Sequence, residues 1–150
     1  MVAKPDPHIA EGGDVRLHIS GNAQATLLRW LEEQRPSAHS DVGSDLLSAV
    51  RAEGGDFLAY SPSFGDCRYI AIIRAGRVCA LAHGQKTACF CVRPTDQAAA
   101  IALGGRARPD LGEGWISFEL YFRTQATPDL RAWLRASYAT PIQMTPDATP

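Results

Sequence analysis

The sequence predicts an α+β fold: a single antiparallel sheet, built from a meander plus further strands, with helices mainly on one face. Three observations carry this. The apolar spacing changes from helical to alternating near position 57. Between Tyr69 and Arg93, three strand-like runs are joined only by Ala75-Gly76 and by Gly84 to Lys86, connections too short for a parallel crossover. Trp115 to Phe122 then alternates without a break, with Ile116, Phe118, Leu120 and Phe122 on one side and Trp115, Ser117, Glu119 and Tyr121 on the other.

The elements follow in order. Residues 1–13 hold two prolines and a Gly12-Gly13 pair and read as a flexible lead-in. Val15, Leu17 and Ile19 alternate with Arg16 and His18, as in a short half-buried strand. Asn22 can cap a helix to about Gln34 that places Ala23, Leu27, Trp30 and Leu31 on one face, with Pro36 beyond its end. Residues 35–43 read as a loop. A helix from about Asp45 to Glu53 turns Leu46, Leu47 and Val50 inward and stops at Gly54.

Phe57 to Tyr60, Tyr69 to Arg74, Val78 to His83 and Thr87 to Arg93 are the next strands. Pro94-Thr95-Asp96 opens an alanine-rich helix that ends at Gly104-Gly105, and residues 106–114 read as a loop. Thr127 is placed to cap the last helix, with Pro128 at its first position and Leu130, Trp133, Leu134 and Tyr138 on its inner stripe. The expected organisation is one domain over 14–140, followed by a flexible tail from 141.

The chain has 150 residues, of which 45% are hydrophobic and 21% charged, with a net charge of -1. That balance belongs to a folded chain, neither a basic nucleic-acid tail nor an acidic solvating one. No apolar run reaches the roughly 20 residues of a membrane span. The opening residues lack the pattern of a targeting peptide, so a cytoplasmic location and no membrane partner are expected.

Charge is uneven along the chain. Residues 1–60 carry 5 Lys/Arg against 9 Asp/Glu, residues 61–108 carry 7 against 2, and residues 109–150 carry 3 against 5. The basic stretch coincides with the meander. Arg74, Arg77, Lys86, Arg106 and Arg108, with His83 beside the turn, become candidates for an anion-attracting sheet end. Trp115, Glu119 and Tyr121 join them as the second face of the alternating strand, where aromatics near arginine can stack on a ligand ring. Whether that face is open, or closed by the helix bearing Trp30, is left undecided by the pattern.

Four cysteines, Cys67, Cys79, Cys89 and Cys91, sit in or beside apolar runs, the setting of buried thiols. A three-residue turn at Gly84 to Lys86 would set Cys79 opposite Cys91 and Leu81 opposite Cys89. A two-residue turn would set Cys79 opposite Phe90 instead. His83 lies roughly 13 Å along the strand from Cys79 at about 3.3 Å per residue, too far to share a zinc ion or a catalytic dyad with it. No metal and no cofactor is expected. The phosphate-binding loop, the dinucleotide fingerprint and the nucleophile elbow are absent from the sequence.

The run Gly-Gly-Arg-Ala-Arg-Pro-Asp-Leu-Gly-Glu-Gly-Trp-Ile-Ser-Phe-Glu from Gly104, followed by Trp-Leu-Arg-Ala-Ser-Tyr at 133–138, resembles the C-terminal half of small bacterial luciferase-domain proteins. The stretch from Gly65 to Gly84 is similar in layout to TfoX N-terminal and MmcQ/YjbR-like domains. The likeness covers roughly residues 64–138. Where the luciferase-domain pattern has paired histidines, this chain reads Ala82-His83-Gly84, and Asp110 stands at a further histidine position. The resemblance implies a small α+β fold and a binding role without an established activity.

Three functions follow in order of expectation. The first is a non-enzymatic module that holds an anionic small molecule, a nucleic acid or an acidic protein at the basic sheet end. The second is a protein–protein adaptor or immunity-type regulatory partner. The third is a cysteine-dependent enzyme or redox protein using Cys89 or Cys91, which would require an exposed thiol of lowered pKa.

Overall fold

The computed structural model describes residues 24–33, 41–54, 56–60, 69–84, 86–119 and 129–140. Helices α1 (Ala25–Glu32) and α2 (Asp41–Glu53) precede strands β1 (Asp56–Tyr60), β2 (Tyr69–Arg74), β3 (Arg77–His83) and β4 (Thr87–Cys91). Then come α3 (Pro94–Ala102), β5 (Arg106–Ala107), β6 (Trp115–Glu119) and α4 (Leu130–Ala139). The strands form one sheet in the order β1-β2-β3-β4-β6-β5, and every neighbouring pair is antiparallel. The α+β class with a single open sheet is therefore the observed architecture.

Alternation along the strands divides the core into two layers. On one face, Ile70, Ile72, Ala80, Ala82, Ala88, Phe90, Ile116 and Phe118 pack against Leu46, Ala49 and Val50 of α2, Ala100 of α3, and Leu130 and Leu134 of α4. On the other, Tyr69, Ala71, Ile73, Val78, Leu81, Cys89 and Trp115 pack against Leu27 and Leu31 of α1 and against Leu111. Three of the four described helices share a face, as expected. The fourth, α1, closes the face that the sequence left undecided. Trp115 is thus a core residue, 3% exposed.

The β2–β3 connection is a two-residue turn in which Ala75 and Gly76 both take positive φ, 55° and 75°. This is the geometry that matches the twist of a tight hairpin. Past it, Ile72 pairs with Ala80 while Ile73 pairs with Val78, so Cys79 is the extra residue of a β-bulge. The side-chain amide of Gln24, just before α1, bonds the backbone of Val78 beside this bulge. Its Nε2 donates to the Val78 carbonyl at 2.8 Å, and its Oε1 accepts from the Val78 N–H at 2.8 Å.

The β3–β4 register sets Leu81 opposite Cys89 and His83 opposite Thr87, which is the three-residue-turn alternative. Several boundaries differ from expectation, among them the end of β4 at Cys91 rather than Arg93. Helix α2 starts at Asp41, several residues early. The expected loop after Gly105 contains the short edge strand β5. Asp129 is the observed N-cap of α4, accepting from the Ala132 N–H. The expected strand at 14–19, the lead-in 1–13, the tail from 141, Thr127, Pro128, Cys67 and Tyr121 lie outside the described residues. No helix among the described residues is long and apolar enough to cross a membrane.

Candidate binding site

The structure separates the basic residues that are close in sequence. Arg74 and Arg77 flank the β2–β3 turn, whereas Lys86 belongs to the turn at the opposite end of β3. Seven strand residues put these ends roughly 20 Å apart. Arg106 is exposed on edge strand β5, opposite Ser117, and Glu119 is exposed at the end of β6, opposite Thr87. The single basic end inferred from the sequence is therefore two separate clusters.

The first cluster forms where α1 meets the sheet. The Arg108 guanidinium grips Asp110 with two bonds, Nε to Oδ1 at 3.0 Å and Nη2 to Oδ2 at 2.9 Å. Its Nη1 lies 3.2 Å from His83 Nε2 and 3.7 Å from Cys89 Sγ. Arginine can only donate, so Nε2 is the acceptor and the imidazole is neutral, with its proton on Nδ1. Burial, reinforced by the adjacent guanidinium, pulls the His83 pKa down to about 4. Trp30 of α1 lies edge-on to the His83 ring at 4.8 Å, and its own ring lies 5.7 Å from the Arg108 guanidinium carbon. Arg108 is thereby committed to internal partners, and its side chain is 17% exposed. It fastens the 108–114 segment over the sheet.

The described thiols are free; Cys79 and Cys89 are buried and Cys91 is half-buried. Burial pushes Cys89 up to about 12 and Cys91 up to about 11, and it raises Cys79 as well. A nucleophilic thiolate would have to form against that desolvation. Among the described residues no group of three His, Cys, Asp or Glu side chains is placed to hold a metal ion.

The second cluster is built on α4. Arg131 and Arg135 are four residues apart and so lie on one side of the helix. Both reach the same carboxylate oxygen of Glu53, at the end of α2. Arg131 Nη2 is 2.7 Å from Oε2, and Arg135 Nη1 is 3.1 Å from it. The Arg131 bonds, opposed by burial and joined by those from Arg135, hold the Glu53 carboxyl below its ordinary pKa. Both arginine side chains stay more than half exposed, at 57% and 53%, while Glu53 is 11% exposed.

The cluster continues onto the sheet. Tyr138, one turn further along α4, donates its hydroxyl to the Gly54 carbonyl, and the Arg74 guanidinium lies 4.3 Å from the centre of its ring. Arg77 donates to the carbonyls of Ser137 at 2.8 Å and Thr140 at 3.4 Å, supplying positive charge at the C-terminal end of α4 where the helix dipole favours it. Arg74 and Arg77 were legible as candidates from the sequence. Arg131 and Arg135 were missed, because they join this surface through an acid about 80 residues away. Their four-residue spacing was the available signal.

Comparison with known proteins finds no matching family model, curated protein or solved structure.

Proposed function

We propose that the protein is a small non-enzymatic binding module for an anionic partner, and that Arg74, Arg131 and Arg135 make the contact. The observation that carries this reading is two half-exposed guanidiniums converging on one oxygen of Glu53. One carboxylate compensates one of the two charges, and the outward N–H groups retain the fork geometry that suits phosphate or carboxylate oxygens. Arg74, stacked on Tyr138, extends the same surface to the sheet. The reading keeps the arginine-rich sheet end but moves its centre from the Arg106–Arg108 side to α4. A bacterial, cytoplasmic setting and the likeness of residues 64–138 to luciferase-domain proteins belong to this proposal, as does the absence of a catalytic role.

The test is titration of the full chain with a labelled single-stranded oligonucleotide, an acidic peptide and inorganic phosphate, at low and moderate salt. Binding of at least one probe should weaken as salt rises, because charge neutralisation drives it. Replacing Arg131 and Arg135 together by Gln should weaken binding about tenfold or more, while Arg106→Gln leaves it unchanged. Glu53→Gln should tighten binding by removing the internal competitor. Failure of all three probes at low salt rejects the reading.

A second reading, a protein–protein adaptor, has its own support. Ile101 and Leu103 are 50% and 71% exposed at the end of α3, beside the edge strand β5. Exposed apolar side chains next to an open strand edge are a surface that proteins use to meet one another.

A further inference from the structure

We propose that α1 is an acid-released cover: protonation of His83 breaks its bond to Arg108 and frees the helix from the second face of the sheet, while α2, α3 and α4 stay packed on the first.

The geometry supplies the mechanism. His83 Nε2 is the lone-pair acceptor for Arg108 Nη1 at 3.2 Å. A proton on Nε2 turns the acceptor into a donor, and two donors facing one another at that distance cannot bond. The new imidazolium also confronts the guanidinium charge. Among the described residues, the surroundings of His83 offer little to offset this. Trp30 from α1 is uncharged. From β4, Thr87 lies directly opposite and is neutral, and the Cys89 thiol, which meets the same Arg108 Nη1, is kept neutral by burial. Glu119 of β6 stands one strand further on and is exposed. From the β5 side come Arg108, which opposes the proton, and Asp110, which favours it. Both Asp110 oxygens are already engaged by Arg108.

An imidazolium in this position gains most by reaching water, and the element over it is α1. Trp30 sits edge-on to the His83 ring and over the Arg108 guanidinium, so displacing either one disturbs its seat. Among the described residues the rest of the attachment is modest. Leu27 and Leu31, with the partly buried Leu28, supply the apolar contact, and the Gln24 amide supplies the two bonds to Val78. The helix has 8 residues, below the length that is stable alone in water. No described residue of α2, α3 or α4 takes part in this set of contacts, so the release is local.

Linkage fixes the size of the effect. The packed imidazole titrates at about 4 and an exposed one at the ordinary 6.5, so the open form takes up the proton first. Relative to pH 7, the opening equilibrium should rise roughly 20-fold at pH 5 and roughly 120-fold at pH 4.

The experiment is hydrogen exchange on the full chain between pH 7 and pH 4, corrected for intrinsic exchange rates and read separately for residues 25–32 and for the amides of β4 and α4. Protection of α1 should fall by the stated factors while β4 and α4 keep most of theirs. His83→Gln, neutral throughout and still able to accept from Arg108, should make α1 protection independent of pH. If that variant does not fold, His83→Phe keeps a ring against Trp30 and should give the same flat profile. The proposal is overturned by constant α1 protection in the wild type, by an equal loss in all three elements, or by an unchanged fall in the folded variant.

Discussion

The two faces of the sheet are closed by different physics. Under α2, α3 and α4 the contact is mainly apolar, with polar anchors confined to the end of α4, where Ser137 donates to the Cys79 carbonyl and Arg77 to the Ser137 carbonyl. Phe90, Ile72, Ile116, Leu46 and Leu134 are all fully buried on this face. Under α1 the apolar contact among the described residues is smaller and its border is polar: a glutamine amide bonds the backbone beside a β-bulge, and a histidine, an arginine and a tryptophan interlock. Hydrophobic burial is non-directional and scales with area. The α1 border instead depends on single hydrogen bonds whose loss leaves buried groups unsatisfied. One face should therefore carry most of the stability, and the other should respond to conditions.

The largest test of that contrast is Phe90→Ala, which removes a fully buried ring from the three-helix face and should cost about 3–5 kcal/mol. Chemical denaturation should show this as loss of the whole fold. Leu27→Ala should behave differently. Its loss should appear first as faster exchange across residues 25–32, with a smaller change in the global midpoint. Equal global losses for both variants would erase the distinction between the faces.

Next in size is Gly114→Ala. Gly114 has φ 86°, and a Cβ there would lie 2.9 Å from the Val92 carbonyl oxygen. Positive φ and a backbone clash together should destabilise by about 1–3 kcal/mol. The Val92 N–H bond to the Gly114 carbonyl should then lose exchange protection.

Gln24→Ala removes both bonds to Val78 and should cost about 1–2 kcal/mol, expressed in α1 rather than in α4. Acid sharpens the same contrast. His83 has a folded pKa below its unfolded value, so its contribution is complete above about pH 6.5 and is lost progressively as pH falls toward 4. Denaturation midpoints measured from pH 7 to pH 4 should fall less steeply for His83→Gln than for the wild type.

The smallest expected effect is a gain. Ala75 sits at φ 55°, where an L side chain is strained and glycine is not. Ala75→Gly should change stability by no more than about 1 kcal/mol, in the stabilising direction. A thermal melt that moves downward instead would show that the unfolded-state entropy of glycine outweighs the relief of strain.

Local pattern determined a large part of the fold. Tyr69 to Arg74 is an isoleucine-rich apolar run that marks β2 at both ends, and the two-residue spacing of Trp115, Ile116, Ser117 and Phe118 assigns each side chain to its face. These features depend only on neighbours in the chain, because strand period and turn length act over a few residues. Strand β5 escaped notice because two residues between Gly105 and Pro109 hold no period. Helix α2 began earlier than expected because Gly43 and the serines beside it resemble a loop. Asp129 caps α4, two residues beyond the expected Thr127, a choice between near neighbours of which both types can cap.

The chain sequence by itself determined the class of fold, the antiparallel meander and the excess of arginine in its middle third. Tertiary structure alone decided what those arginines do. It turned Arg108 inward onto Asp110 and His83, set Arg74 on Tyr138, and brought Arg131 and Arg135 to a glutamate about 80 residues earlier in the sequence. Periodicity reports which side of an element is apolar, but a charged side chain takes its role from partners that only folding brings within reach. The same holds for Trp115. Its alternation placed it on the second face, and only the seating of α1 decided that this face would be closed.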